Sequence, residues 1–348
     1  MAEEILKMVN ITKRFAGITA LDRVQFSCSK GEVHVLAGEN GAGKSTILKI
    51  LAGIHQADEG EIYFHGKKVV IRNPEQSQKL GIAMVFQELT LVGEMTVWEN
   101  IYLNQEPVTR LGRINRKEIK KRILDVMDRY GIHIDPDAPV GSLPVAEQQM
   151  AEILKILVRD PELIILDEPT SALAKKEVEQ LYQIIHNLIA DGKTIIFISH
   201  RLEELFELGD RITVFKDGCY IGTRNMNEIN EDDLIRMMVG RSLNHVFPPP
   251  VCEVDDSQVI FEVKDLADAD HKLNQVSFQV HKGEILGVAG LQGHGQTELL
   301  NAVSGLYPLS GGSIIVNGKQ VGIKNAGQAI ANGIALVPSD RKNQGLML

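Results

Sequence analysis

The sequence predicts an α/β fold built on a buried, largely parallel sheet. Short apolar runs occur at residues 163–166 and Thr194–Ile198, and a long helical pattern lies between them at about Lys175–Ala190. Short apolar strands joined by helical crossovers are typical of parallel sheets that are covered on both faces. A glycine-rich turn at residues 38–43, placed between an apolar strand and a helical run, also favours this fold class.

The glycine-rich turn fits the phosphate-loop template G-x-x-x-x-G-K-[ST] without a mismatch. A strand, a glycine turn and a helix N-terminus direct backbone N–H groups and a helix dipole at one point, which creates an anion site. Lys44 can reach the β- and γ-phosphates, and the Ser45 hydroxyl is placed to bind Mg²⁺. A chance match is the alternative, but the flanking strand and helix argue against it. We therefore expect a nucleoside triphosphate to bind through Gly38, Glu39, Asn40, Gly41, Ala42, Gly43, Lys44, Ser45 and Thr46.

Two adjacent carboxylates follow the apolar run at residues 163–166. Burying a carboxylate is costly unless a cation compensates its charge. A metal and a water account for both side chains: Asp167 would hold Mg²⁺, and Glu168 would polarise the water that attacks the γ-phosphate. The alternative is an acidic pair that only caps the end of a strand.

Three further side chains are candidates for the same site. His200 follows the strand Thr194–Ile198 and could sense the γ-phosphate and orient the water, although a lone histidine is often structural. Gln87 follows an apolar strand and could bridge the metal or the water, although glutamine is common where loops begin. Phe15 precedes the phosphate loop at a spacing that could stack its ring on an adenine, and core packing is its alternative.

An early segment of the chain recurs later. Residues 21–87 align without a gap to residues 273–339, and 24 of these 67 positions are identical. The matched positions include the loop glycines Gly38 and Gly290. An offset of 252 residues indicates a domain duplication, because solenoid repeats run only to about 50 residues.

The repeat predicts the domain organisation. We expect a first domain at residues 1–245, with a helical subdomain at about 90–160 where helical patterns dominate. A proline-rich and acidic linker would occupy residues 246–258. Residues 259–348 would form the first part of a second domain.

Composition limits the classes of function. The chain has 348 residues, of which 44% are hydrophobic and 24% charged, and a net charge of −9. No basic face for nucleic acid is evident, and no apolar stretch is long enough to cross a bilayer. The 3 cysteines are widely spaced, and the acidic N-terminus is unlike a signal peptide. We expect folding in the cytosol, with any membrane role depending on another protein that spans the bilayer.

The order of these motifs resembles the nucleotide-binding domain of ATP-binding cassette (ABC) proteins. Within that superfamily the sequence is most similar to the ATPase subunits of bacterial monosaccharide importers, which carry two fused cassettes. Softer similarities are the runs Arg201-Leu202-Glu203-Glu204 and Asp340-Arg341-Lys342. The motifs that carry the resemblance are Phe15, the phosphate loop, Gln87, Leu143-Pro144-Val145-Ala146-Glu147-Gln148-Gln149, Asp167-Glu168-Pro169-Thr170-Ser171-Ala172-Leu173 and His200.

The resemblance implies a P-loop ATPase that uses ATP and Mg²⁺ and drives uptake of a ribose-, galactose- or xylose-type sugar. It implies catalytic roles for Glu168, His200 and Gln87, and metal contacts from Ser45, Gln87 and Asp167. Its partners would be integral-membrane permease subunits and a periplasmic or extracellular solute-binding protein, at the cytoplasmic face of the membrane. Two alternatives stay open: a soluble tandem-cassette factor acting on ribosomes or nucleic acid, and a non-catalytic nucleotide-binding regulator.

The chain departs from the ABC pattern in two places. Pro144, with Val145 and Ala146, replaces the serine and glycines of the usual signature, and proline offers a phosphate neither a hydroxyl nor an N–H. Gln296 replaces the lysine of the second phosphate loop, which removes a positive charge. In head-to-tail cassette pairs these two elements would meet in one degenerate site, so we expect the chemistry at Lys44. Because the sequence ends before a second signature, we also expect a truncated second domain and slow turnover.

Overall fold

The computed structural model describes residues 3–86, 89–109, 112–171, 173–239, 255–290, 293–338 and 345. The chain divides into two compact units, Met1–Val246 and Phe247–Leu348. The strands of the first unit are β1 (Glu4–Phe15), β2 (Ile18–Ser29), β3 (Val33–Ala37), β4 (Glu59–Phe64), β5 (Lys67–Val69), β6 (Ile82–Val85), β7 (Leu163–Asp167), β8 (Thr194–Ile198), β9 (Arg211–Lys216) and β10 (Cys219–Asn225). Its helices are α1 (Lys44–Leu51), α2 (Pro74–Lys79), α3 (Val97–Tyr102), α4 (Arg116–Tyr130), α5 (Val145–Leu157), α6 (Lys175–Ala190), α7 (Leu202–Leu208) and α8 (Glu231–Val239).

A six-stranded sheet in the order β10-β9-β3-β8-β7-β6 forms the centre of the first unit. Its strands pair in parallel except for β10, which is antiparallel to β9. Every residue of β3, β7 and β8 is buried. Alternate residues of β7 enter different cores, with Ile164 in one and Ile165 in the other. Both faces are therefore covered, which confirms the predicted parallel sheet and explains why its strands are continuously apolar.

A second, antiparallel sheet covers one face of the central sheet. It has the order β2-β1-β4-β5 and packs with α1 into a shared core. Strand β2 of this sheet is 12 residues long. Polar, exposed residues such as Asp22 and Arg23 interrupt the apolar pattern of that strand. A one-sided antiparallel strand alternates between core and solvent, so its full length is harder to predict from apolar runs.

Helices α3, α4 and α5 cover the other face and fill the segment where helical patterns dominate. Thr96 begins α3 with a capping box, because its side chain accepts from the Glu99 N–H while the Glu99 carboxylate accepts from the Thr96 N–H. Asn115 caps the start of α4, and Gly131 ends it at φ 67°. Pro144 lies immediately before α5 and supplies no side-chain cap.

The second unit repeats the antiparallel sheet of the first. Its elements are β11 (Asp255–Ala267), β12 (Val276–Lys282), α9 (Gln296–Val303), β13 (Gly311–Val316), β14 (Lys319–Val321) and α10 (Ala326–Ala331), with the strand order β12-β11-β13-β14. Asn325 caps α10 through the Gln328 N–H, as Asn73 caps α2 through the Gln76 N–H. The sequence repeat is therefore a repeat of structure.

One matched segment differs between the two units. Residues 284–290 match the region of β3, yet they form no strand among the described residues of the second unit. Ile285 is 98% exposed, whereas its counterpart Val33 is 3% exposed. In the first unit β3 lies between β8 and β9, and a strand needs such partners to satisfy its backbone groups.

The longest described helix, α6, has 16 residues, and a spanning helix needs about 20 apolar residues. Within the described ranges, no helix has the length and apolar character for this role.

Candidate functional site

The phosphate loop connects the buried end of β3 to the first turn of α1. Gly43 caps α1 in the left-handed region at φ 99°, and a Cβ there would lie 2.5 Å from Leu21 Cδ2. Gly38 has φ 150°, and its Cβ would lie 2.2 Å from the Phe215 carbonyl oxygen. Side chains at these positions would displace neighbouring atoms, so the close packing of the loop requires glycine. The N-terminus of α1 directs its first N–H groups toward the loop.

Lys44 folds back over this loop. Its Nζ donates hydrogen bonds to the Gly38 carbonyl oxygen at 2.8 Å and the Glu39 carbonyl oxygen at 3.0 Å. Burial lowers the pKa of Lys44, and the charges of Glu168 and Asp167 oppose this change. The ammonium group thus donates to two backbone carbonyls and is near enough to two carboxylates to be affected by their charge, and from this position it can donate to phosphate oxygens.

A cleft of about 560 Å³ opens beside Lys44. This volume lies within the range of about 300–1,000 Å³ for small-molecule sites. An adjoining cavity is lined by Gly38 and Glu39, among other residues. Three separate stretches of sequence meet in the cleft, which is lined by Asn40, Gly41, Gly43, Lys44, Ser45, Thr46, Asp167, Glu168, Ile198 and His200.

Asp167 ends β7 at the edge of the cleft and is 7% exposed. Burial, followed by the charge of Glu168, raises the pKa of Asp167, while Lys44 and Lys49 act in the opposite direction. A partly desolvated carboxylate of this kind is stabilised by a bound cation. Ser45 and Asp167 supply a hydroxyl and a carboxylate oxygen in one cleft, and oxygen ligands of this kind suit Mg²⁺.

Glu168 adopts an uncommon backbone conformation. Its φ is 49°, in the left-handed region that costs a non-glycine residue energy. Two hydrogen bonds hold this turn: the Glu168 N–H donates to the Ile198 carbonyl oxygen at 3.0 Å, and the Ser171 N–H donates to the Glu168 carbonyl oxygen at 3.3 Å. Such strain often marks functional sites, where the surrounding structure maintains it.

His200 faces the acidic pair across the cleft. Its Nδ1 lies 3.4 Å from Oε2 of Glu168. The parallel pairing of β7 with β8 places Asp167 opposite Ile198, so both following segments meet at the same sheet edge. The His200 side chain is 62% exposed and that of Glu168 18%, which leaves the imidazole accessible to a ligand in the cleft.

One predicted site residue, Phe15, is not among the residues that line the cleft. Phe15 ends β1, with its ring edge-on to His55 at a centroid distance of 5.0 Å and with Lys13 Nζ 5.2 Å from its centroid. Adenine stacking therefore stays a prediction. Three predicted features lie outside the described residues: Gln87, the run Asp340-Arg341-Lys342, and residues 246–254 of the predicted linker.

Sequence patterns predicted no role for one residue beside the cleft, Glu204, which was named only within the run Arg201-Leu202-Glu203-Glu204. Glu204 belongs to the first turn of α7 and is only 2% exposed. A signal was available, because helical spacing places Glu204 on the same side as Leu208, which is also buried. A carboxylate on the buried side of a short helix requires polar partners.

A protein-family comparison identifies a match in both units. The model of the family described as "ABC transporter" matches residues 21–171 and 273–347. The match therefore includes both phosphate loops and the strand that carries the acidic pair.

Relatives from several bacteria align with the whole chain. One relative, from Burkholderia cenocepacia, is named as a ribose/galactose/methyl galactoside import ATP-binding protein. It is 45% identical over 100% of this chain and 66% of its own length. A protein of Agrobacterium fabrum with the same kind of name is 46% identical over 100% of this chain and 67% of its own. A ribose import ATP-binding protein of Rubrobacter xylanophilus is 42% identical over 99% of this chain and 69% of its own. The chain thus spans about two-thirds of the length of these relatives.

Solved structures support the same conclusion. A nucleotide-free ATP-binding cassette from an ABC transporter has a TM-score of 0.58 and 27% identity, and the match covers 68% of this chain and 96% of that one. A cassette solved as a post-hydrolysis dimer with ADP and phosphate has a TM-score of 0.55 and 28% identity, with coverage of 64% and 99%. These matches confirm the predicted fold class. The family match across both units, together with relatives that align over its full length, shows that the chain belongs to the ABC transporter family.

Proposed function

We propose that the chain is the ATP-binding and ATP-hydrolysing subunit of an importer for a monosaccharide. The observation that supports hydrolysis most directly is the meeting of Lys44, Ser45, Asp167, Glu168 and His200 in one cleft. The names of the relatives support sugar import and favour it over a ribosome-associated factor or a non-catalytic regulator.

Each of these side chains would have a distinct role. Lys44 and the loop N–H groups would bind the β- and γ-phosphates of ATP. Ser45 and Asp167 would hold Mg²⁺, which supplies charge neutralisation on the phosphates when bound. Glu168 would accept a proton from the attacking water, and His200 would donate a hydrogen bond to the γ-phosphate.

The reaction needs little covalent chemistry from the protein. Phosphoryl transfer is accelerated mainly by positioning and electrostatic stabilisation. The left-handed backbone at Glu168 and its 3.4 Å approach to His200 support this role, because they hold a carboxylate and an imidazole at one edge of the sheet.

The remaining assignments belong to the same proposal. Residues 1–245 would form the first cassette, 246–258 a linker and 259–348 part of a second cassette. The second phosphate loop, with Gln296 in place of the lysine, would bind nucleotide more weakly. Gln87 would contact the metal or the water. The partners would be integral-membrane permease subunits and a solute-binding protein, with the chain at the cytoplasmic face of the membrane.

Two measurements test the proposal. Purified chain should release phosphate from ATP in a Mg²⁺-dependent reaction, and Lys44→Ala should remove that activity. Cells that carry Lys44→Ala in place of the wild type should lose uptake of labelled ribose or galactose but retain an unrelated transport activity. Mg²⁺-dependent hydrolysis without an effect on uptake would leave an ATPase but contradict sugar import.

A further inference from the structure

The Glu204 carboxylate makes a compact set of contacts next to the cleft. Its Oε2 accepts hydrogen bonds from Thr170 Oγ1 at 2.7 Å and Ser199 Oγ at 2.6 Å. Its Oε1 lies 2.8 Å from Nη1 of Arg201. Thr170 is 3% exposed and Ser199 7% exposed, so both hydroxyls and the carboxylate meet away from solvent.

These contacts connect the two segments that carry the proposed catalytic side chains. Thr170 lies two positions after Glu168, and Ser199 immediately precedes His200. The parallel pairing of β7 with β8 extends to Asp167 and Ile198. Beyond that pair, the segments leave the sheet, and the Glu204 carboxylate links them.

The energetics favour a specific role for this link. A buried carboxylate is costly unless hydrogen bonds and a cation compensate it, and Glu204 has both. Without it, two buried hydroxyls would lose a charged acceptor, at a cost that exceeds that of a neutral hydrogen bond. The strained turn at Glu168 also needs surrounding contacts to persist. The hydrogen bond from Thr170 to Glu204 is one such contact, because Thr170 lies two residues after Glu168.

We infer that Glu204 is a positioning residue for the reaction. It holds Glu168 and His200 at a fixed separation through Thr170 and Ser199, without contacting the nucleotide site itself. The inference rests on the proposed ATP hydrolysis, because it explains how the two side chains of that reaction keep their relative positions.

Steady-state kinetics for ATP provide the first test. Glu204→Ala should lower kcat about 10- to 100-fold, since small displacements of catalytic groups have effects of this size, while KM changes little because Lys44 and Ser45 are untouched. Glu204→Gln should recover part of the loss, because its amide oxygen can still accept from Thr170 and Ser199. Glu203→Gln is the matched control, since Glu203 is the exposed neighbour in the same helical turn. It should behave as the wild type.

A double-mutant cycle keeps the inference testable if Glu204→Ala folds poorly. Thr170→Val and Ser199→Ala should each lower kcat, and each should have a smaller effect in a Glu204→Leu background, whose side chain cannot accept a hydrogen bond, than in the wild type. Fully additive effects on kcat would overturn the inference, because they would mean that the hydroxyls act independently of the carboxylate.

Amide hydrogen exchange separates this inference from the proposed function, since it does not need turnover. Glu204→Gln should increase exchange in both segments, 168–171 and 198–200, while Glu203→Gln should not. Increased exchange confined to α7, or an unchanged kcat in Glu204→Ala, would overturn the positioning role. Absence of Mg²⁺-dependent hydrolysis in the wild type would instead contradict the proposed function, and the exchange experiment would still decide whether Glu204 holds the two segments together.

Discussion

Nδ1 of His200 lies 3.4 Å from Oε2 of Glu168, although the two residues follow different strands of the central sheet. Their proximity results from the parallel pairing of β7 with β8, whose carboxyl ends reach the same edge. Open α/β sheets bind ligands outside the carboxyl ends of their strands. The pair therefore identifies the edge of the sheet at which chemistry is expected.

The pair leads to a prediction for Glu168→Gln. The substitution keeps the size of the side chain but removes the carboxylate that would accept a proton from water. Hydrolysis should fall by about 10²- to 10⁴-fold, the usual contribution of a general base, while ATP affinity stays near the wild-type value. Phosphate release and equilibrium binding of a fluorescent ATP analogue measure the two effects separately. A variant with near-normal turnover would show that another group activates the water.

Lys44 should contribute to nucleotide affinity far more than its counterpart in the second unit. Lys44→Ala removes hydrogen bonds from a cation to the phosphates, each of which contributes about 1.5–3 kcal/mol, so ATP binding should weaken about 10- to 100-fold. Gln296→Ala changes a neutral side chain and should leave the high-affinity binding step unaltered. Titration calorimetry on both variants provides the comparison. Equal losses of affinity would contradict the assignment of tight binding to the first loop.

Two glycines of the phosphate loop allow a matched stability test. A Cβ at Gly38 would lie 2.2 Å from the Phe215 carbonyl oxygen, while a Cβ at Gly41 has nothing within 4 Å. Gly41→Ala should lower the free energy of unfolding by about 1–2 kcal/mol, because its φ of 86° is strained for alanine. Gly38→Ala adds a clash with backbone to similar strain and should cost at least about 3 kcal/mol. Denaturant unfolding of the two variants should rank them in this order, and the reverse order would show that the loop is packed differently.

A buried histidine beside the phosphate-loop strand predicts a pH effect on stability. His34 lies in β3, with Nδ1 2.8 Å from Glu32 Oε1 and Nε2 2.8 Å from Thr213 Oγ1. Burial lowers the pKa of His34 below its ordinary value of 6.5, although the Glu32 carboxylate opposes this change. Neutral His34 donates from Nδ1 to Glu32 and accepts at Nε2 from Thr213. The folded state therefore disfavours protonation of this ring.

The sign of the pH effect follows from this lowered pKa. The contribution of His34 to stability is fully present above pH 6.5, the ordinary pKa, and is lost as the pH falls through the lower pKa of the folded state. Glu32 also contributes, but at more acidic pH. Burial raises the pKa of Glu32, but hydrogen bonds from His34 and Ser29 outweigh this effect, so its pKa lies below the ordinary value of 4.5. The melting temperature should fall as the pH is lowered below 6.5, and His34→Gln should show a flatter dependence there. Identical slopes for the two proteins would contradict this assignment.

His34 and Glu32 form a buried cluster with Cys28 that has the residue types of a metal site. Ligand atoms of Cys28, Glu32 and His34 lie within 4.8 Å of one another. Both His34 nitrogens have partners, and Arg211 Nη1 lies 3.2 Å from Glu32 Oε1. Burial, followed by the charge of Glu32, also raises the pKa of the Cys28 thiol well above its ordinary value. The cluster is therefore a hydrogen-bonded structural network.

The parts of the fold that were predictable depend on local patterns. Strands β7 and β8 are buried on both faces, so continuous apolar runs identified them, and glycine spacing identified the phosphate loop. The length of β2 was not predictable from apolar runs, because exposed polar residues alternate with its buried ones.

In the candidate site, too, the predictable residues are those that belong to local sequence motifs. Lys44 and the acidic pair belong to motifs with fixed spacing, and the structure brings them together. Helical spacing places Glu204 on the same side of α7 as the buried Leu208, but its hydrogen bonds with Thr170 and Ser199 could not be recognised, because these residues approach it only in the folded chain. The ring of Phe15 contacts His55 instead of lining the cleft, a relationship that sequence spacing does not reveal.

The most direct test of the central claim is the Mg²⁺ dependence of ATP binding, measured by titration calorimetry on the wild type and Asp167→Asn. Asp167 and Ser45 line one cleft with Lys44, so a metal held there should strengthen binding of the triphosphate. We predict that Mg²⁺ increases the affinity of the wild type for ATP and that Asp167→Asn loses most of this increase while still binding ATP through Lys44. Equal affinities with and without Mg²⁺ in the wild type, or an unchanged increase in Asp167→Asn, would contradict the claim that this cleft binds a magnesium nucleotide.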